Sequence, residues 1–347
     1  MSITGREELR TAVDEAVEEV KVTDVHTHLY PPDFSELLLW GVDELITYHY
    51  LVAEVFRYAD VSYGAFWRMS KREQADLIWK HLFEENSPYS EACRGVLTTL
   101  ELLGLEVGAR DLASYRRYFE GKTVEEYVDQ VFEVARIKEV VMTNDPFDDG
   151  EREFWLGGYE PDPRFRAALR IDGLLNGWPE AWPRLKEWGY GVGEELNSAT
   201  VKKVRRFLTE WAERMDPAYL AVSLPPTFAF PEDSARGALI QECVLPVCEE
   251  LNRPFAMMIG VKRPINPQLR DAGDSVGKGD VGVIEGLCRE YPKNKFLVTM
   301  LARENQHELC VAARKFRNLL VFGCWWFLNN PSLVEEITRM RFELLGV

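Results

Sequence analysis

Seven short apolar runs recur along the chain, most of them followed by a charged stretch with helical spacing. The runs are 21–27 (KVTDVHT), 139–144 (EVVMTN), 166–172 (RAALRID), 219–225 (YLAVSLP), 254–261 (PFAMMIGV), 295–302 (KFLVTMLA) and 319–325 (LLVFGCW). Each carries Val, Ile, Leu, Met or Phe, and the first four end on a polar residue or Pro. Continuous apolar runs of this length fit strands buried on both faces, as in a parallel sheet. The stretches 201–215, 235–251, 280–291, 306–316 and 332–345 read as the intervening helices. Alternating strand and helix predicts a parallel α/β fold, and about seven such units in one chain favour a distorted (β/α)8 barrel over two open sheets.

Two departures from that rhythm stand out. From about residue 31 to 138 no strand-like run occurs and the pattern is almost wholly helical, which predicts a helical insertion after the first strand, within a single barrel domain spanning 1–347. The count of strands is also seven where a barrel of this type needs eight, so the eighth is expected beyond Val347, with strands one and seven flanking a gap. The N-terminal stretch MSITGREELRTAVDEAVEEV has no apolar segment after its charges and predicts an acidic amphipathic helix, not a signal peptide.

Charge narrows the function classes. The 41 Lys and Arg stand against 57 Asp and Glu, a formal net charge of −16, which argues against nucleic acid as a partner. No run approaches the ~18 apolar residues of a membrane span. The six cysteines form no CxxC pair and sit among apolar neighbours, as reduced thiols of a cytoplasmic protein do. Neither Gly273–Gly279 nor Gly189–Gly193 has the spacing of a phosphate or dinucleotide loop; the former reads as a flexible loop after the fifth run.

Of five histidines, His26 and His28 lie in DVHTHL at the end of the first run. Residues i and i+2 of a strand point to one side, so the two imidazoles can grip one divalent metal, with Zn2+ the first candidate. In Thr47-Tyr48-His49-Tyr50 a group titrating near neutrality stands between two phenols, either as catalytic machinery or as an aromatic helix face packed in the core. Arg170 ends the third run and offers a planar fork to a carboxylate, or an ion pair to Asp172 or Asp145. Asn144 and Asp145, Lys262 and Arg263, Arg303 and Glu304, and Trp325 and Trp326 end other runs. His81 and His307 fall in helical contexts and read as structural.

Taken in order, DVHTHL, ELITYHYLVAE, KREQADLIWKHLF, VMTNDPFDD, ALRID, LARENQHEL and FGCWWFLNNP resemble the uronate (glucuronate) isomerases, a branch of the amidohydrolase superfamily. The resemblance runs from Asp24 to about Gly346. It implies a distorted barrel, a metal on His26 and His28, an active-site His49–Tyr50 pair, and Arg170 facing the substrate; Trp326, bulky enough to form a wall of the site or to pack in the core, is the further substrate-binding candidate. The implied reaction interconverts D-glucuronate with D-fructuronate and D-galacturonate with D-tagaturonate. The implied partner is a small-molecule uronate, with no nucleic acid or membrane, and a homo-oligomer is compatible with the reading. An eighth strand bearing Asp-x-Arg is implied past Val347. The alternatives are a metal-dependent hydrolase or lactonase of the same superfamily, or a non-catalytic sugar-acid binder. Against the hydrolase, MMIGVK and TMLARE carry no histidine at the ends of the fifth and sixth runs.

Overall fold

The computed structural model describes residues 3–34, 37–38, 40–323 and 326–346. Each of the seven apolar runs contributes strand. The strands are β1 (Val22–Thr27), β2 (Ile137–Met142), β3 (Phe165–Arg166), β4 (Leu169–Arg170), β5 (Leu220–Leu224), β6 (Phe255–Ile259), β7 (Val261–Lys262), β8 (Ser275–Val276), β9 (Phe296–Met300) and β10 (Leu319–Val321). One sheet runs β1-β2-β3, a second runs β10-β9-β6-β5-β4, and every pairing in both is parallel. A parallel bridge from Asn144 to Leu169 joins them, so the strands follow one another in chain order.

The central strands are apolar throughout because helices cover one face and neighbouring strands crowd the other. All five residues of β6 are buried, and β6 pairs without slippage to β5 and β9 from Phe255 to Ile259. Each fully buried Leu, Ile, Phe or Met side chain contributes about 1.5–3 kcal/mol relative to exposure, so a strand such as FAMMI is fixed in register by its own burial.

The run 166–172 is not one strand. Phe165–Arg166 pairs with β2 and Leu169–Arg170 pairs with β5, with Ala167 and Ala168 at the crossing. Two small residues let the backbone change partners, and their own groups stay bonded: the Ala168 amide donates to Met142 O and the Ala218 amide to Ala167 O. Gly273–Gly279 is also more ordered than expected. Its Ser275–Val276 forms β8, antiparallel to β7, and Gly260 makes this possible. Gly260 sits at φ 126°, where a Cβ would meet the Gly277 carbonyl at 3.0 Å, and its own carbonyl accepts from the Gly277 amide.

The helical insertion is present and has a core of its own. Helices Val42–Ile46, His49–Val55, Tyr63–Phe66, Lys71–Trp79, Glu91–Leu102, Leu112–Glu120 and Val124–Val134 lie between β1 and β2. Trp79 stacks on Phe83 at 4.3 Å, with Tyr115 edge-on at 5.6 Å. Capping boxes start two of these helices, Ser70 with Glu73 and Thr123 with Glu126, each worth about 1 kcal/mol. Arg116, nearly buried, reaches Asp43 at 2.8 Å and Asp76 at 2.7 Å and so ties two helices to a third.

The expected N-terminal helix spans Arg6–Glu19 and buries none of its residues. No described helix is long and apolar enough to cross a membrane. Among the described residues β1 and β10 do not pair with each other; each is a sheet edge.

Candidate active site

The ends of β1, β4 and β5, the start of the helix His49–Val55 and the loop after β6 enclose a cleft of about 230 Å3. His26, His28, Tyr48, His49, Tyr50, Arg170 and Trp326 line it, so every predicted site residue meets in one place. Ser223, Met258, Arg263, Asp271 and Asp274 complete the wall.

His26 and His28 stand edge to face, ring centroids 5.7 Å apart. Burial, then the neighbouring His28 and Arg170, pushes His26 down to about 3, and burial and Arg170 lower His28. Both are therefore neutral imidazoles, the form that binds metal. The Tyr219 hydroxyl donates its one proton to Val25 O at 2.7 Å, so at 3.3 Å from His26 Nδ1 it can only accept. His26 thus carries its proton on Nδ1 and its lone pair on Nε2. The Thr143 hydroxyl sits 3.2 Å from His28 Nδ1 and 3.4 Å from Thr27 O, so a proton given to Thr27 O leaves the His28 lone pair on Nε2.

The helical insertion supplies the second wall. Tyr48 is the N-cap of its helix, and the rings of Tyr48 and Tyr50 each lie 4.2 Å from that of His49. Burial pushes His49 down to about 4, against an opposing pull from Asp271, and its buried Nε2 has no hydrogen-bond partner among the described residues. Burial also raises the Tyr50 phenol. Trp326, held at φ 57°, brings its ring within 6.1 Å of His49, with the Arg263 guanidinium 5.7 Å from the indole ring centroid. Trp325 and Cys324 lie outside the described residues.

Arg170 makes the expected ion pair and also faces the cleft. Its Nε donates to Asp172 at 3.1 Å, Asp172 in turn accepts the Ser223 amide, and the same arginine side chain lines the cleft. Other strand-end residues are placed elsewhere. Asn144 is fully buried, and Arg303 pairs with Glu336 on the outside at 2.8 Å. His81 pairs with Glu85 at 2.8 Å, in keeping with a structural role.

Asp271 and Asp274 carried no signal in the sequence, because only the docking of their loop brings them in. The Trp67 indole donates to Gln268 O at 2.8 Å, and Arg270 lies 4.4 Å over the same ring. Asp274 then meets Arg263 at 3.5 Å.

A divalent cation fits the two histidines in ligand type and protonation state. Among the described residues no group of three or more His, Cys, Asp or Glu side chains is placed to share a cation, so the pair accounts for two positions of a coordination shell.

A uronate isomerase from Bacillus halodurans C-125 is 62% identical to this chain, over 99% of it and 82% of that protein, with a TM-score of 0.97. The chain belongs to the uronate isomerase family. Two further structures share the fold at low identity. The uronate isomerase of Thermotoga maritima is 17% identical, with a TM-score of 0.65 over 99% of this chain and 86% of its own. The glucuronate isomerase of Caulobacter crescentus is 14% identical, with a TM-score of 0.69 over 95% and 78%. No protein-family model and no curated protein matches the sequence. As a uronate isomerase the chain is an enzyme, and the cleft with His26, His28, His49 and Arg170 is its candidate catalytic centre.

Proposed function

We propose that this uronate isomerase interconverts D-glucuronate with D-fructuronate, and D-galacturonate with D-tagaturonate, in the cleft between His26 and His49. The strand order fits a distorted (β/α)8 barrel with its site at the C-terminal strand ends, where such barrels carry their chemistry. The observation that carries the reading is the convergence of two neutral imidazoles on β1, a third on the helical insertion and an arginine on β4 upon one cleft, in a chain 62% identical to a uronate isomerase.

His26 and His28 would hold one divalent cation, zinc first, which when bound supplies Lewis-acid polarisation of the substrate carbonyl. Arg170 pairs with the carboxylate and selects sugar acids over neutral sugars. In a protein of net charge −16 an anion is repelled at long range, so a local cation is required to hold it. His49, uncharged at neutral pH with a lone buried nitrogen, accepts a proton as the sugar ring opens and returns it, with the Tyr50 hydroxyl as its neighbour in the relay. Trp326 closes one side of the cleft against water. Cys93, Cys243, Cys248 and Cys288 are buried and unbridged, which suits a reducing cytoplasm.

The test is direct. The zinc-loaded protein is incubated with D-glucuronate in D2O and followed by proton NMR. Appearance of fructuronate signals is expected, and absence of any isomerisation with either uronate would overturn the reading.

A further inference from the structure

Glu151 lies in the first turn of the helix Asp149–Leu156 after β2 and is 4% exposed, yet every hydrogen-bond partner of its carboxyl is uncharged. Oε2 accepts from Asn144 Nδ2 at 3.2 Å and from the Asp145 amide at 3.0 Å. Oε1 lies 3.0 Å from the Tyr30 hydroxyl, and that hydroxyl lies 2.9 Å from the Thr143 carbonyl oxygen. Both contacts are of hydrogen-bond length. A carbonyl cannot donate, and the Tyr30 hydroxyl has a single proton. Both contacts are full hydrogen bonds at once only when the Glu151 carboxyl carries a proton, donating it to Tyr30 while Tyr30 donates to Thr143.

These contacts bear on the catalytic cleft through short links. Thr143, Asn144 and Asp145 are consecutive at the exit of β2, and all three are held from Glu151 directly or through Tyr30. The Thr143 hydroxyl is the group that meets His28 Nδ1, and Tyr30 follows His28 by two residues. The Asn144 carbonyl accepts the Arg170 amide. One buried carboxyl thus joins the outgoing ends of β1, β2 and β4 where two of the cleft's polar side chains originate.

We propose that Glu151 is a positioning residue of this isomerase that works as a neutral carboxylic acid, holding Tyr30 and the Thr143–Asp145 segment and through them the His28 ring. The proposal rests on the reading of the cleft as the catalytic centre. The titratable groups facing Glu151 are Tyr30 from the exit of β1, Asp145 from the exit of β2 and Asp148, whose carboxylate caps the same helix by accepting the Glu151 amide. Arg170, on β4, acts on Tyr30 and Asp145. Burial and the Asp145 charge push Glu151 up to about 7, outweighing its three hydrogen bonds, which agrees with the hydrogen count.

Glu151→Gln keeps the shape, offers N–H to Tyr30 and keeps an acceptor for Asn144 and Asp145. Glu151→Ala removes all three links. With the zinc-loaded enzyme, Gln is expected to retain most of kcat, and Ala to lose roughly tenfold to a hundredfold in kcat per folded molecule and in zinc affinity, with KM little changed, as loss of an outer partner of a metal ligand does. Infrared difference spectra at mildly acidic pH are expected to show an un-ionised carboxylic acid band that Glu151→Gln removes. A Gln variant as impaired as Ala would overturn the neutral form, as would absence of that band. An Ala variant that melts lower but keeps wild-type kcat and zinc affinity would overturn the positioning role. Should Ala fail to fold, Tyr30→Phe, which cuts the link to Thr143, carries the same expectation, and unchanged kcat and zinc affinity in it would overturn the proposal. The parallel control is His28→Ala: if it isomerises like wild type, the cleft reading fails, while the infrared band still decides the state of Glu151.

Discussion

The Tyr219 hydroxyl sits 3.3 Å from His26 Nδ1 while its only proton goes to the Val25 carbonyl at 2.7 Å, so a residue on the run into β5 dictates the tautomer of a histidine on β1. Removing the hydroxyl removes that instruction. Tyr219→Phe is expected to weaken zinc binding about tenfold to a hundredfold, with the fold intact because the ring stays buried. Chelator competition measures it; affinity equal to wild type would show that the hydroxyl serves only Val25.

The two metal candidates should fail together. His26→Ala and His28→Ala are each expected to abolish stoichiometric zinc and uronate isomerisation, because a single imidazole leaves the ion one protein ligand in the described cleft. Metal analysis of the dialysed variants is the check, and full occupancy in either would remove that histidine from the site.

Arg170 is half committed to Asp172 through Nε, which leaves its other guanidinium nitrogens for substrate. Arg170→Met should raise KM for glucuronate about tenfold to a hundredfold, the worth of a charge-assisted hydrogen bond of ~1.5–3 kcal/mol. Steady-state kinetics that match wild type in both KM and kcat would confine the arginine to its ion pair.

Glu151 also makes a prediction about pH. Its folded value, about 7, lies above its ordinary 4.5. Between those values the folded chain keeps a proton that the unfolded chain releases, so this residue's stabilising contribution is complete below the ordinary value and fades as pH rises through 7. The metal-free melting temperature, compared between wild type and Glu151→Gln across that interval, should show wild type losing ground as pH rises; parallel curves would mean that Glu151 does not titrate there.

Much of this was legible in the sequence for identifiable reasons. Buried parallel strands must be apolar end to end, so LAVSL and FAMMI announced themselves. His-x-His carries its geometry in its spacing, and the resemblance of DVHTHL and ITYHY to a known family tied His49 and Tyr50 to the same site. Asp271 and Asp274 were not legible, since their position depends on a loop caught by Trp67 some 200 residues away. Nor were Tyr219, Thr143 and Glu151: a tyrosine that orients a histidine looks, in sequence, like any tyrosine beside a strand. The division of 166–172 into β3 and β4 was hidden because two alanines satisfy a strand pattern and a crossing equally well.

The pairing of β1 with β2 has a consequence for how the molecule comes into being. Thr23 meets Glu139 across a separation of 116 residues, and the intervening chain is a set of helices with its own hydrophobic core. Closing so long a loop is entropically unfavourable until those helices collapse and bring their ends together. The insertion therefore acts as a clasp that delivers β1 to the sheet, and the histidine pair is among the last features to form. Refolding from denaturant should recover helical circular dichroism before it recovers the capacity to bind zinc.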